Sequence, residues 1–164
     1  MDDMEQLILQ LVQDIFNRLL AKNMSLATAE SCTGGYLAHI LTTLPGSSDI
    51  YKGGVVVYTA LAKTTLLKIN KTIIDSFGEV SKEVAIEMAK NTRLCLNTTF
   101  ALATTGYAGP SGGSANNPCG TVYMAIATTD DIIVQKQLYS NKTRKEIIEQ
   151  SSLDILKLLT TLIL

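Results

Sequence analysis

Residues 24–35 read Met-Ser-Leu-Ala-Thr-Ala-Glu-Ser-Cys-Thr-Gly-Gly. The first seven, a small and apolar run ending at Glu30, read as a short buried strand. Ser31-Cys32-Thr33-Gly34-Gly35 follows as a turn, and the apolar spacing of Tyr36-Leu-Ala-His-Ile-Leu continues as a helix to about residue 43. This strand–turn–helix unit sets the expectation for the rest of the chain. Upstream, Met4, Leu7, Ile8, Leu11, Val12, Ile15, Phe16, Leu19 and Leu20 form one apolar stripe of a helix that Asn23 stops.

Downstream, Pro45-Gly46 ends the second helix, and residues 53–58, with three consecutive valines, form the next strand. A short amphipathic helix is predicted over residues 61–69. Ser81, with Glu83 in the first turn, caps a helix running to residue 96. Residues 100–104 make a strand ending at Thr105-Gly106, and residues 107–118 are a Gly/Pro/Ser/Asn loop. Residues 121–128 and 132–139 pair as a hairpin around Thr129-Asp130-Asp131, and a last helix spans residues 143–162. Helices alternating with apolar strands, plus one hairpin, predict an α/β protein: a three-layer α/β/α sandwich around a mixed sheet, one domain over residues 1–164.

Charge narrows the function. With 14 Lys+Arg against 15 Asp+Glu the net charge is −1, which argues against a chain built to grip nucleic acid. A 46% hydrophobic, 18% charged composition is globular. No apolar run reaches the roughly 18 residues that span a bilayer. Asp2, Asp3 and Glu5 have the wrong sign for a secretory signal, so a cytoplasmic protein without a membrane partner is expected. Cys32, Cys95 and Cys119 show no CxxC spacing, so neither disulfide framework nor metal site is expected. The lone histidine, His39, lies in a helical apolar run and reads as a packed or surface residue; a lysine, tyrosine or carboxylate must then carry acid–base work.

In sheets of this kind ligands collect where strands lead into helices, here at Glu30-Ser31, Tyr58-Thr59 and Thr104-Thr105-Gly106. Ser31 is either a nucleophile presented at the turn, with helix-start N–H groups near Thr33 and Gly34 for an oxyanion or phosphate, or simply a helix cap. Lys63, five residues past Tyr58, is either a partly buried base for that serine or a solvated surface charge. The Thr105 hydroxyl either supports the base or caps its turn. The loop from Gly106 matches neither common phosphate-loop pattern. Arg144, at the start of the last helix, suits a phosphate or carboxylate.

Taken together, Ala29-Glu-Ser-Cys-Thr-Gly-Gly, Gly53-Gly-Val-Val-Val-Tyr, Ala62-Lys63 with Leu66-Leu67, and Ala103-Thr-Thr-Gly-Tyr-Ala-Gly-Pro closely resemble the CinA C-terminal domain family. That family, known from competence-damage inducible proteins, includes nicotinamide-mononucleotide amidases. The resemblance implies an α/β/α fold and a hydrolase of pyridine nucleotide salvage, converting nicotinamide mononucleotide to nicotinate mononucleotide and ammonia without metal or organic cofactor. It implies Ser31 as nucleophile, Lys63 as its base, Tyr58 and Thr105 supporting that pair, and Thr33, Gly34, Gly35, Gly106 and Arg144 around the substrate. Nothing precedes the first helix, so a stand-alone amidase domain is expected. The chain departs from the family pattern at Ala60, Tyr107 and Ile148, positions that bear on substrate placement rather than on the Ser31/Lys63 pair. A different class of function, a nucleotide- or partner-binding module that does not catalyse, is the rival; retention of Ser31, Tyr58, Lys63 and Thr105 together favours the enzyme. The apolar terminal helices suggest a homodimer.

Overall fold

A computed structural model describes residues 3–164; Met1 and Asp2, the start of the acidic N-terminus, lie outside the described residues. Helix α1 (Asp3–Ala21) and the chain reversal after it deliver strand β1 (Leu26–Glu30) to an interior position of a mixed sheet. Helix α2 (Tyr36–Leu41) leads through a 3-10 turn (Ser47–Asp49) to β2 (Tyr51–Val56). Three helices follow, α3 (Ala60–Leu67), α4 (Lys71–Phe77) and α5 (Lys82–Leu96), and then β3 (Phe100–Gly106), β4 (Thr121–Ala127), β5 (Ile132–Leu138) and α6 (Arg144–Thr160). The strand order is β2-β1-β3-β4-β5, with β1 parallel to both its neighbours and β3, β4 and β5 antiparallel in turn. The expected three-layer sandwich around a mixed sheet is what forms.

Strand alternation sorts residue size between the two faces. Leu26, Phe100, Leu102, Val122, Met124 and Ile126 face the layer of α1, α2 and α6. The opposite face presents Ala29, Ala103, Ala125 and Ala127 to Ala85 and Ala89 of α5. Small residues on both sides let α5 lie close against the sheet, and any enlargement there overpacks the layer, typically costing about 1–3 kcal/mol. The apolar stripe of α1 is spent on this core through Ile8, Val12, Ile15 and Leu19, and α6 likewise buries Ile147, Leu153, Ile155, Leu156 and Leu159. Of the α1 stripe, Leu7 and Leu20 are the large residues left exposed.

Local details differ from the sequence reading in four places. The valine strand runs two residues earlier than expected, so Tyr58 lies beyond its end, although Val57 N–H still donates to the Glu30 carbonyl at 2.8 Å. Helix α2 stops at Leu41, where the Thr42 and Thr43 hydroxyls turn back onto its last carbonyls. Helix α3 starts at Ala60 because Thr59 caps it, its hydroxyl accepting from Ala62 N–H at 3.2 Å. Helix α4 was not anticipated; its signal is Asn70, whose side chain caps Thr72 N–H ahead of Ile73 and Ile74. Among the described residues no helix is long and apolar enough to cross a membrane.

Candidate active site

Period-two alternation divides the residues at the end of β1 between the two faces. Glu30 turns toward α2 and is 0% exposed. Its carboxylate accepts from Thr33 Oγ1 at 2.6 Å, Leu37 N–H at 2.8 Å and Ala38 N–H at 3.0 Å. The last two are helix-start donors with no intrahelical acceptor, so Glu30 satisfies the N-terminus of α2 from inside the protein. Ser31 turns the other way. Its N–H still bonds the Thr104 carbonyl at 2.9 Å, which holds it in line with the sheet, while its Oγ reaches α3.

There it meets Lys63, whose Nζ donates to Ser31 Oγ at 2.9 Å and to the Val57 carbonyl at 3.0 Å. The Lys63 side chain is 1% exposed. Burial lowers its pKa below the ordinary lysine value, opposed by the carboxylate of Glu79, whose Oε1 lies 3.6 Å from Nζ. A lysine buried on the inner face of a short helix, against a serine hydroxyl, is a candidate base with a nucleophile in reach. Cys32, next to that nucleophile, is no rival: burial pushes its thiol up to about 12, so at neutral pH it carries no thiolate.

The pair lies in the wall of a cleft of about 620 Å³ whose lining includes Ser31, Lys63, Glu79, Thr105, Gly106 and Arg144. Arg144, the first residue of α6, donates to the Gly109 carbonyl at 2.8 Å and to the Tyr58 hydroxyl. This clamps loop 107–118 and the end of the valine strand against each other and leaves a guanidinium on the cleft wall. The α6 start that presents it is fixed by a capping box between Thr143 and Glu146.

Several expected contacts fall elsewhere. Tyr58 and Thr105 line the cleft but are not hydrogen-bond partners of Ser31 or Lys63. Tyr58 is half exposed with its hydroxyl on Arg144, and Thr105 Oγ1 donates to the Glu79 carbonyl at 2.8 Å. The strand end instead gives Lys63 the Val57 carbonyl. Of the donors expected around the glycine turn, Gly34 N–H is spent on the Ser31 carbonyl at 3.0 Å, and the Leu37 and Ala38 N–H groups belong to Glu30. Thr33 is folded inward, its hydroxyl shared between Glu30 and Thr104 Oγ1 at 2.7 Å. Thr33, Gly34 and Gly35 line a neighbouring cavity of about 760 Å³ that meets the Ser31 cleft at Arg144. Gly34 and Gly35 are needed for their positive φ of 59° and 98°. Gly106 does reach the cleft, but its lack of a side chain is explained by packing: a Cβ would stand 2.6 Å from the Thr121 carbonyl.

His39 is exposed on α2 and contributes nothing to the Ser31 cleft. Among the described residues no three His, Cys, Asp or Glu side chains converge as metal ligands do. Two residues that sequence reasoning missed complete the picture, Glu30 and Glu79. Glu30 was readable only as a carboxylate in an otherwise apolar strand. Glu79 had no local signal, because it lies in the connection between α4 and α5.

The CinA C-terminal domain matches residues 8–163. A CinA-like protein of Amoebophilus asiaticus is 44% identical over 133 residues, 80% of this chain and 32% of the relative. One from Flavobacterium psychrophilum is 43% identical over 129 residues, covering 79% and 31%. The chain thus spans about a third of the length of these curated relatives. Among solved structures, the competence/damage inducible protein CihA from Agrobacterium tumefaciens superimposes with a TM-score of 0.92 at 34% identity, covering 95% of each chain. A CinA superfamily protein from Escherichia coli gives a TM-score of 0.92 at 30% identity, covering 99% of this chain and 93% of that one. A family match over residues 8–163 and superpositions covering 95% and 99% of the chain agree: the chain belongs to the CinA C-terminal domain family.

Proposed function

We propose that this domain hydrolyses the carboxamide of nicotinamide mononucleotide, releasing nicotinate mononucleotide and ammonia. The observation that carries this reading is the 2.9 Å contact between Lys63 Nζ and Ser31 Oγ in the wall of an open cleft. Neutral Lys63 takes the Ser31 proton as Oγ attacks the carboxamide carbon, forming a tetrahedral intermediate. The resulting ammonium passes its proton to the departing nitrogen, so ammonia rather than amide ion leaves and an acyl ester remains on Ser31. Water, deprotonated by the same amine, then cleaves the ester, and the proton returns to Ser31 Oγ. Arg144, held by Gly109 and Tyr58, supplies the positive charge that a nucleotide phosphate needs.

The test incubates purified protein with nicotinamide mononucleotide and follows ammonia and nicotinate mononucleotide, with Ser31→Ala and Lys63→Met alongside. Product from the wild type alone supports both the reaction and the dyad. Undiminished product from Ser31→Ala would sink the covalent mechanism. Calorimetric binding of the nucleotide by folded wild type without turnover would favour the binding module.

A further inference from the structure

The ammonium of Lys63 donates to two acceptors, Ser31 Oγ at 2.9 Å and the Val57 carbonyl at 3.0 Å, and forms an ion pair with Glu79, whose Oε1 lies 3.6 Å away. Two hydrogen-bond acceptors and a carboxylate at ion-pair distance describe a charged lysine, whereas a base must be neutral. Lys63 has little contact with solvent to which a proton could be lost, its side chain being 1% exposed; that of Glu79 is 45% exposed and lines the cleft. The backbone carrying Glu79 is held at three successive residues. Ser81 Oγ donates to the Gly78 carbonyl at 2.9 Å, Thr105 Oγ1 to the Glu79 carbonyl at 2.8 Å and Asn117 Nδ2 to the Val80 carbonyl at 3.1 Å. A segment fastened this firmly places one carboxylate between a sealed amine and the cleft.

We propose that Glu79 is the proton partner of Lys63, accepting its proton when substrate covers the cleft and so producing the neutral amine beside Ser31. An ion pair persists while water solvates the carboxylate. Once a ligand displaces that water, the neutral acid and amine are favoured over two desolvated charges. In this step the Nζ–H bond breaks, the Oε1–H bond forms and the net charge is unchanged. Glu79 keeps the proton through acylation and deacylation and returns it to Lys63 when product leaves. The other ionisable groups facing the pair are Cys32 beside the amine, with Asp75, Tyr58, Tyr107 and Arg144 on the cleft wall. Thr105 becomes a positioning residue, acting through the Glu79 backbone.

This step rests on the amide-hydrolase reading, so its test includes a reaction that needs no amide. An aryl sulfonyl fluoride reacts with Ser31 to form the Oγ–S bond with loss of fluoride, the Ser31 proton passing to Lys63. Its rate, followed by intact mass from pH 6 to 10, is compared in wild type, Glu79→Gln, Glu79→Asp and Lys63→Met, all first shown to be folded by thermal unfolding. Hydrolysis of nicotinamide mononucleotide is measured over the same range. Expected for Glu79→Gln is a loss of about tenfold or more at pH 7 that recovers as pH rises, against a flatter wild-type profile, with Glu79→Asp between them. Equal rates for Glu79→Gln and wild type at every pH overturn the proposal. So does a faster Glu79→Gln at pH 7, which would make the carboxylate only a brake that keeps Lys63 charged. Wild type labelled no faster than Lys63→Met removes the base and the proposal with it. Rapid wild-type labelling without hydrolysis faults the choice of amide, and the labelling series still decides the role of Glu79.

Discussion

Glu30 and Lys63 are both buried charged side chains at the end of β1, on opposite faces of the sheet, and they are treated very differently. Glu30, 0% exposed, is surrounded by donors at 2.6, 2.8 and 3.0 Å, two of them the opening N–H groups of α2. Lys63, with a side chain 1% exposed, has neutral acceptors at 2.9 and 3.0 Å and its counter-charge only at 3.6 Å, on the cleft side. A buried charge with close donors on helix and turn is an architectural device, holding the strand–turn–helix unit in one geometry. Lys63 is instead opposed by its own burial and touches the Ser31 hydroxyl, a pattern associated with chemistry.

Breaking the Lys63 side has the largest consequence for activity. Ser31→Ala or Lys63→Met is expected to lower turnover of nicotinamide mononucleotide by about a thousandfold or more with the fold intact, measured as nicotinate mononucleotide formed against time. Breaking the Glu30 side shows mainly in stability. Glu30→Gln can keep one oxygen on the Thr33 hydroxyl and Leu37 N–H, which share Oε1, but it then sets an amide NH2 against the Ala38 N–H donor and loses the charge, and should cost about 3 kcal/mol. In a domain of this size that is a fall of roughly 6–12 °C in unfolding temperature, read by calorimetry. An unchanged transition in Glu30→Gln would mean the two buried charges are not different in kind.

Lys63→Met sharpens the contrast because its two effects have opposite signs. Replacing a desolvated ammonium by an apolar side chain of similar length should raise the unfolding temperature by a few degrees at pH 7 even as it removes activity. The pH dependence follows from the direction of the shift. Burial lowers the Lys63 pKa, so below the ordinary value of 10.5 the unfolded chain binds the Lys63 proton more tightly than the folded one. Wild type therefore gains stability as pH rises from the lowered folded pKa toward 10.5, and Lys63→Met lacks that gain; parallel stability–pH curves for the two proteins would contradict it. The smallest effect is at Cys32. With its thiol pushed up to about 12, it should stay unmodified by iodoacetamide at pH 8 in the folded protein, while exposed Cys95 reacts, as peptide mass mapping would show.

Much of the architecture was legible because it depends on local patterns. The α1 stripe, the Ser81 cap of α5 and the hairpin of β4 and β5 each signal themselves within a few residues. Helix α4 escaped because seven residues carry too little periodicity to stand out, and the valine strand slipped by two because its own residues do not mark where pairing with β1 begins. The site was half legible. Ser31 and Lys63 could be nominated from strand-end positions, but choosing between a cap and a nucleophile, or between a surface charge and a base, needs burial and distance.

By itself the sequence determined the α/β class and the order of the strands and longer helices, since periodicity and turn chemistry are properties of neighbours along the chain; it nominated Ser31 and Lys63 by their places near strand ends, and the family resemblance paired them. Only the tertiary structure decided the rest. It gave the helix-start donors to Glu30 and not to a ligand, set the Thr105 hydroxyl on the Glu79 backbone, tied Tyr58 to Arg144, and brought Glu79 to Lys63 from a connection with no motif of its own. The reason is physical: hydrogen bonds and desolvation act over a few ångströms between residues 7 to 86 positions apart in these pairs, and no local pattern encodes such distances.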